Sequence, residues 1–221
     1  MKRAVLDALT QDPAKAWVRA LDRTRGQETL IDPFLDETPL GLAARAAART
    51  DTSGEVEIDG RTWFLEVHNP PLELALVGAV HIAQPLAAIA RLAGYAVRVI
   101  DPRTAFATEA RFPGVALHPE WPDVHFAKIP LSSRSALVVL AHDPKIDDPA
   151  LEAALASRAF YVGALGSKKT HAARSERLLG RGFGPQDLAR IHGPVGLAIG
   201  ARSPAEIALS ILAQMTQTLH T

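Results

Sequence analysis

Apolar and polar positions follow two different rhythms along this chain, and the change falls at Asn69-Pro70-Pro71. Beyond that point short apolar runs alternate with longer helical ones. Leu74 to Val77, Ala96 to Ile100, Ala136 to Leu140 and Phe160 to Val162 read as strands. Ile82 to Leu92, Pro149 to Ala156 and His171 to Leu179 read as helices between or after them. Strands that are apolar throughout are buried on both faces, as in a parallel sheet covered by helices. The pattern therefore predicts a Rossmann-like, doubly wound α/β domain over residues 70–221. Asp148-Pro149 reads as a helix start, an N-cap carboxylate followed by proline at the first helical position. Ser203-Pro204-Ala205-Glu206 is a capping box opening a final helix to about Thr218, with Ile207, Ile211 and Leu212 at core spacing.

Residues 1–69 read as a small α+β unit. Asp12-Pro13 marks a helix start, and Ala14 to Arg25 continues it with Trp17, Ala20 and Leu21 on one face until Gly26. Thr38-Pro39 opens an alanine-rich helix through Arg49. Glu55 to Ile58 and Arg61 to Val67, joined by Asp59-Gly60, predict a hairpin, because Asp-Gly supplies the positive φ angles of a two-residue type I′ turn. Nothing in this unit assembles chemistry.

Composition narrows the function. The chain has 221 residues, 48% of them hydrophobic, which is enough to bury a core without covalent staples. Its 24 basic and 24 acidic residues cancel, removing the long-range attraction toward nucleic acid or an anionic membrane. There is no cysteine, so these residues form no disulfide, thiolate zinc site, iron–sulfur cluster or cysteine nucleophile. Met1 to Asp7 lacks the apolar run of a secretory signal, and Leu72 to Val99 is broken by Glu73, His81, Gln84 and Arg91. A soluble cytoplasmic protein is expected, with neither nucleic acid nor membrane as partner.

In a doubly wound sheet the ligand lies at the carboxyl ends of the strands, so the loops there are the candidate site. The first holds Gly78, Ala79, Val80, His81, Ile82 and Ala83, with Asp101 at the end of the next strand. A dinucleotide fingerprint has G-x-G-x-x-G/A and an acid about 20 residues on. Gly78 and Ala83 fit it, but Val80 crowds the pyrophosphate position. The following helix N-terminus still suits a phosphate. Asp101 with Arg103 could take a hydroxyl and a phosphate, or simply cap a turn. His142-Asp143-Pro144-Lys145 clusters an imidazole, a carboxylate and an ammonium beyond what a turn needs, whereas Asp147 and Asp148 read as helix caps. Gly163, Gly166, Ser167 and Lys168 precede a helix as an anion cradle without Walker A spacing. The glycines between Ile191 and Arg202 read as backbone closing over a ligand.

Taken in order, Gly78-Ala79-Val80-His81-Ile82-Ala83, Val99-Ile100-Asp101-Pro102-Arg103, Phe106-Ala107-Thr108-Glu109 with Arg111-Phe112-Pro113, His142-Asp143-Pro144-Lys145, Tyr161-Val162-Gly163-Ala164-Leu165-Gly166-Ser167 and Gly200-Ala201-Arg202-Ser203-Pro204-Ala205-Glu206-Ile207-Ala208 resemble the XdhC/CoxI family over residues 70–215. The resemblance implies an accessory protein, not an enzyme with its own turnover. It would bind molybdenum cofactor (molybdopterin), protect it, support its sulfuration and deliver it to an apo molybdenum hydroxylase such as xanthine dehydrogenase. Many relatives carry a cysteine-bearing motif in a longer N-terminal domain; residues 1–69 have none, so sulfur would come from a separate protein such as a cysteine desulfurase. Residue chemistry combined with the resemblance gives the expected contacts: the helix N-terminus after Gly78 and the Gly166-Ser167-Lys168 cradle could hold phosphate, Asp101 or Asp143 could accept from the pterin N–H groups, and His81 and His142 could donate to the metal's oxo groups. Apolar exposure of the N-terminal unit is compatible with a homodimer. Two other functions suit the broad pattern: an NAD(P)-binding oxidoreductase, against which Val80 stands, and a degenerate nucleotide-binding scaffold acting through protein contacts.

Overall fold

The computed structural model describes residues 15–220, which fall into two compact units divided between Pro70 and Pro71. The expected start at Asp12-Pro13 lies outside the described residues.

In the first unit β1 (Trp17–Asp22), β2 (Glu28–Ile31), β3 (Gly54–Ile58) and β4 (Arg61–His68) form an antiparallel sheet in the order β2-β1-β4-β3. Helix α1 (Pro39–Thr50) packs on it around Val18, Ala20, Ile31, Ala44, Ala48 and Leu65. The hairpin forms as expected: Asp59 and Gly60 sit at φ 51° and 70°. Thr38 caps α1 by accepting a hydrogen bond from the Gly41 amide at 3.1 Å.

The helix expected over Ala14 to Arg25 is instead strand β1. Its buried positions alternate, Val18, Ala20 and Asp22, and the chain pairs with β2 on one side and β4 on the other. On the opposite face Arg19 donates to Glu28 at 2.9 Å and to Glu66 at 2.8 Å, one carboxylate from each neighbouring strand. Such cross-strand partners, remote in sequence, override local helix preference.

The second unit contains β5 (Glu73–Val77), α2 (Ala83–Leu92), β6 (Ala96–Ile100), β7 (Ala116–His118), α3 (Pro122–Lys128), β8 (Ser135–Val139), α4 (Pro144–Leu155), β9 (Tyr161–Ala164), α5 (Lys168–Leu179), α6 (Pro185–Leu188), β10 (Ile191–His192) and α7 (Pro204–His220). The six strands are all parallel in the order β7-β6-β5-β8-β9-β10. Chain order therefore reverses between β5 and β8, and a crevice opens beyond their carboxyl ends. Alternate strand residues serve opposite faces. Leu74, Leu76 and Val138 pack with α2 and α7, while Ala75, Val77 and Leu137 pack with α3, α4 and α5. The capping box of α7 is closed, with the Glu206 amide donating to Ser203 Oγ at 3.2 Å and the Ser203 amide to Glu206 Oε2 at 2.8 Å.

Helix α4 corrects a second expectation. It begins at Pro144, capped by Asp143, so Pro149 lies inside the helix. Asp147, in its first turn, and Asp148, which follows, are not caps but buried residues of the helix. Asp148 receives Arg177 of α5 at 2.7 and 2.9 Å.

Candidate functional site

The floor of the crevice is set by Gly78, at φ +102° after β5. A Cβ there would lie 2.6 Å from the Ala141 amide nitrogen and 2.9 Å from Ala141 Cα. The glycine is required because the loop leaving β5 and the loop leaving β8 touch backbone to backbone. His142 follows that contact, exposed and itself at φ 60°. His81 is exposed on the other wall, and Val80 is half-buried against the core.

Asp101 is fully buried at the end of β6. Its Oδ2 accepts from the Ala79 amide and Arg103 Nη2, at 2.8 and 2.9 Å, and its Oδ1 accepts from the Arg103 amide and Nε, both at 2.9 Å. Burial pushes this carboxyl upward, but the Arg103 guanidinium and the two amides outweigh it and hold the group below its ordinary value. A carboxylate has about four lone-pair sites, and all are filled from within the chain. Asp101 therefore positions the loop and has no acceptor left for a ligand. Arg103, half-exposed, also lies over the Phe106 ring at 4.7 Å.

Three helices start from the loops after β5, β8 and β9, and their N-termini differ. Asp143 caps α4 through the Lys145 amide at 2.9 Å, and Ser167 caps α5 through the Thr170 amide at 3.2 Å. Helix α2 has no side-chain cap. Pro85 has no N–H, the Ala83 amide donates to the Val80 carbonyl at 3.1 Å and the Leu86 amide to the Ile82 carbonyl at 3.2 Å, so in this first turn, next to the switch point, the Gln84 amide is the one left for an anionic ligand. Lys168 and Lys169 stand exposed at the start of α5, where Gly166 turns at φ +142° against Thr170.

Two of the expected site elements serve the chain instead. Gly163 is buried within β9, where a Cβ would lie 2.6 Å from Val195 Cγ2 and 2.8 Å from Tyr161 Cε1. Beyond β10, Gly193 packs on His171, and Gly196 packs on Ser210 while its amide donates to Gln214 Oε1 at 2.8 Å, whereas a Cβ at Gly200 would meet nothing within 4 Å. Gln214 Oε1 also accepts from Tyr161 at 2.6 Å.

Beneath the loops lies a buried pair that the sequence reading missed. Asp147 Oδ1 accepts from the Ala141 amide at 3.2 Å, and its Oδ2 lies 3.8 Å from Arg174 Nη2. The same nitrogen donates to the Leu165 carbonyl at 3.0 Å. Loops β8–α4 and β9–α5 are thus tied from below. Burial raises the Asp147 carboxyl to about 6 even with Arg174 opposing it, and burial lowers Arg174. Arg174, Arg177 and Arg181 recur at helical spacing opposite the Asp147-Asp148 doublet, a signal legible in the sequence.

A groove of about 610 Å³ lies elsewhere, lined by Phe126, Leu131, Ala153 and Phe183 among others, and none of the expected site residues borders it.

Comparison with known proteins agrees with this architecture. The sequence model of the XdhC Rossmann domain matches residues 74–215. The chain is 33% identical over 156 residues to a protein of Bacillus subtilis (strain 168) named as a probable xanthine dehydrogenase subunit, covering 70% of this chain and 45% of that one. It is 30% identical over 152 residues to the molybdenum cofactor insertion chaperone PaoD of Escherichia coli (strain K12), covering 68% of this chain and 42% of that one. The chain thus spans less than half the length of these curated relatives. A crystal structure described as a xanthine dehydrogenase from Bacillus halodurans superposes with a TM-score of 0.70 at 22% identity, covering 98% of this chain and 65% of that one.

Proposed function

Because the chain belongs to the XdhC family, we propose that it is an accessory protein of a molybdenum hydroxylase, binding molybdenum cofactor and passing it to the apo-enzyme without turnover of its own. The cargo is a pterin ending in a phosphate, or in a nucleotide pyrophosphate, with a dithiolene that holds the metal. The observation that carries the reading is the contrast between helix starts: α4 and α5 are capped by their own side chains, and α2, at the switch point, is not. The positive end of α2, with its Gln84 amide, takes the phosphate, an interaction worth about 0.3–1 kcal/mol per neighbouring anionic group, and Lys168 and Lys169 add positive charge at the start of α5. His81 and His142, both exposed at the crevice loops, donate to the metal's oxo groups. Asp143 retains acceptor capacity beyond its single cap bond and receives the pterin N–H groups, a role that the saturated Asp101 does not fill.

The proposal extends to sulfuration. With no cysteine in the chain, no persulfide forms on it, so a separate cysteine desulfurase supplies the sulfur while this protein shields the cofactor. The client is a xanthine dehydrogenase-like enzyme. Among the described residues no helix is long and apolar enough to cross a membrane.

The test is to express the protein with an active molybdopterin pathway, purify it and release the pterin by oxidation, which makes it fluorescent. The apo-protein is then titrated with cofactor, NAD(H) and NADP(H). Near-stoichiometric pterin is expected, with at least a tenfold weaker affinity in the His142→Ala/Asp143→Ala double variant. Stoichiometric nicotinamide binding with no retained pterin refutes the proposal, and an effect of the double variant within twofold removes that loop from the site.

A further inference from the structure

Away from the crevice floor, three potential metal ligands converge where the edge strand ends. Strand β7 stops at His118, Glu120 follows in the turn, and His125 lies on α3. One ligand atom from each lies within 4.8 Å of the other two. The two imidazole rings are 4.4 Å apart, tilted by 55°. The turn is pinned by backbone bonds, from the Glu120 amide to the His118 carbonyl at 2.9 Å and from the His125 amide to the Trp121 carbonyl at 3.0 Å.

A purely structural role explains only part of this. Glu120 Oε1 lies 2.9 Å from His125 Nδ1, and Lys128 pairs with Glu120 Oε2, so a Lys–Glu–His relay staples α3 to the turn. That relay leaves the other nitrogen, His125 Nε2, buried on a side chain with no exposure and no hydrogen-bond partner among the described residues. A carboxylate on Nδ1 holds the tautomer whose Nε2 carries a free lone pair, the arrangement seen behind metal-bound histidines. The relay also gives no reason for a second imidazole beside the first.

We propose that His118 and His125, with Glu120 behind His125, hold a divalent transition ion of the zinc type that clips β7 to α3. Two imidazole ligands, with water completing the coordination, suit zinc; calcium and magnesium demand oxygen ligands throughout. Glu120 orients His125 from behind through Nδ1 and supplies the negative charge. Two cations oppose the ion: Lys128, which is 61% exposed and can turn away, and Arg98, whose charge reaches both imidazoles. Affinity is thereby held below that of a closed structural site. Lys128→Gln should therefore strengthen binding, an effect that a mere staple does not produce. The His118 carbonyl accepts from the Asp101 amide at 3.2 Å, so the ion steadies the same loop system that frames the crevice.

The full-length protein, with any histidine tag removed and metal stripped by chelator, is titrated with Zn²⁺ by calorimetry and with Co²⁺ by visible absorption. Expected are one saturable equivalent, a tetrahedral-type cobalt spectrum and a raised melting temperature. Affinity should fall at least tenfold in His118→Ala and rise severalfold in Lys128→Gln. His118 is partly exposed, so His118→Ala is the decisive variant, provided its metal-free melting curve matches the wild type; if it does not, Lys128→Gln decides. The His81→Ala/His142→Ala variant should bind as the wild type does. Absence of saturable binding overturns the proposal. So do wild-type affinity in a folded His118→Ala, unchanged affinity in Lys128→Gln, or loss of binding in the crevice double variant.

Discussion

The contact between Gly78 and Ala141 sets the geometry of the crevice, and Gly78→Ala tests it directly. The substituted residue would stay at φ +102°, with its methyl carbon 2.6 Å from one backbone atom of the β8–α4 loop and 2.9 Å from another. Holding an L side chain in the left-handed half of φ costs about 1–2 kcal/mol. Pushing a packed backbone segment away adds about 1–3 kcal/mol, because neither neighbour is a flexible side chain. Together the loss is roughly 2–5 kcal/mol, or roughly 5–20 °C in melting temperature for a protein of this size. Gly94→Ala is the matched control: it has φ +88° and nothing within 4 Å of the new methyl, so it carries only the conformational cost of about 1–2 kcal/mol. Melting both variants by circular dichroism isolates the close approach. If Gly78→Ala melts within about 2 °C of Gly94→Ala, the backbone contact is not what demands the glycine. The same displacement would move His142, so cofactor affinity should fall in Gly78→Ala and not in Gly94→Ala.

Other consequences can be checked in the same way. Asp147 holds its proton up to about 6 in the folded state, above its unfolded value, so its contribution is full below about pH 4 and is lost as pH rises through about 6. Between about pH 4.5 and 7 the wild type should lose about 2 kcal/mol more stability than Asp147→Asn in urea titrations, and equal pH slopes would contradict the raised carboxyl. Arg103→Ala leaves the buried Asp101 with only the Ala79 amide and its own loop amide, so a loss of about 2–3 kcal/mol is expected. A loss under about 0.5 kcal/mol in denaturant unfolding would mean that the pair does not hold the loop. Tyr161→Phe deletes one buried hydrogen bond to Gln214 while the Gly196 amide keeps the other, so the melting curve should report about 1 kcal/mol.

What the chain made legible was local. Asp59-Gly60, Thr38-Pro39 and the Ser203 to Glu206 box each carry their geometry within a few residues, and each forms as read. The strands β5, β6 and β8 are apolar enough to be recognised without their partners. The misreadings share one cause, partners distant in sequence. Strand β1 looks helical until Glu28 and Glu66 reach Arg19 from its neighbours. The second of two Asp-Pro pairs resembles a helix start, but Asp148 is drawn inward by Arg177, and the helix opens one Asp-Pro earlier. At the site, the strand-end loops were legible from topology alone. Whether a glycine or carboxylate there faces a ligand or its own chain was not: Gly163 meets Val195, and Asp101 is enclosed by Arg103 and Ala79.

The enclosure of Asp101 also restricts how this protein can change. To hold a dinucleotide in the manner of the G-x-G-x-x-G fingerprint, the crevice would need that carboxylate free for a ribose hydroxyl and a smaller residue at Val80 for the pyrophosphate. Losing Arg103 alone strands a buried charge, and shrinking Val80 alone removes core contact while leaving the carboxylate filled. Each single step is a loss, and only the pair opens the new ligand. The Arg103–Asp101 fork is in that sense an evolutionary latch: it places a valley between the present crevice and one built on the dinucleotide fingerprint.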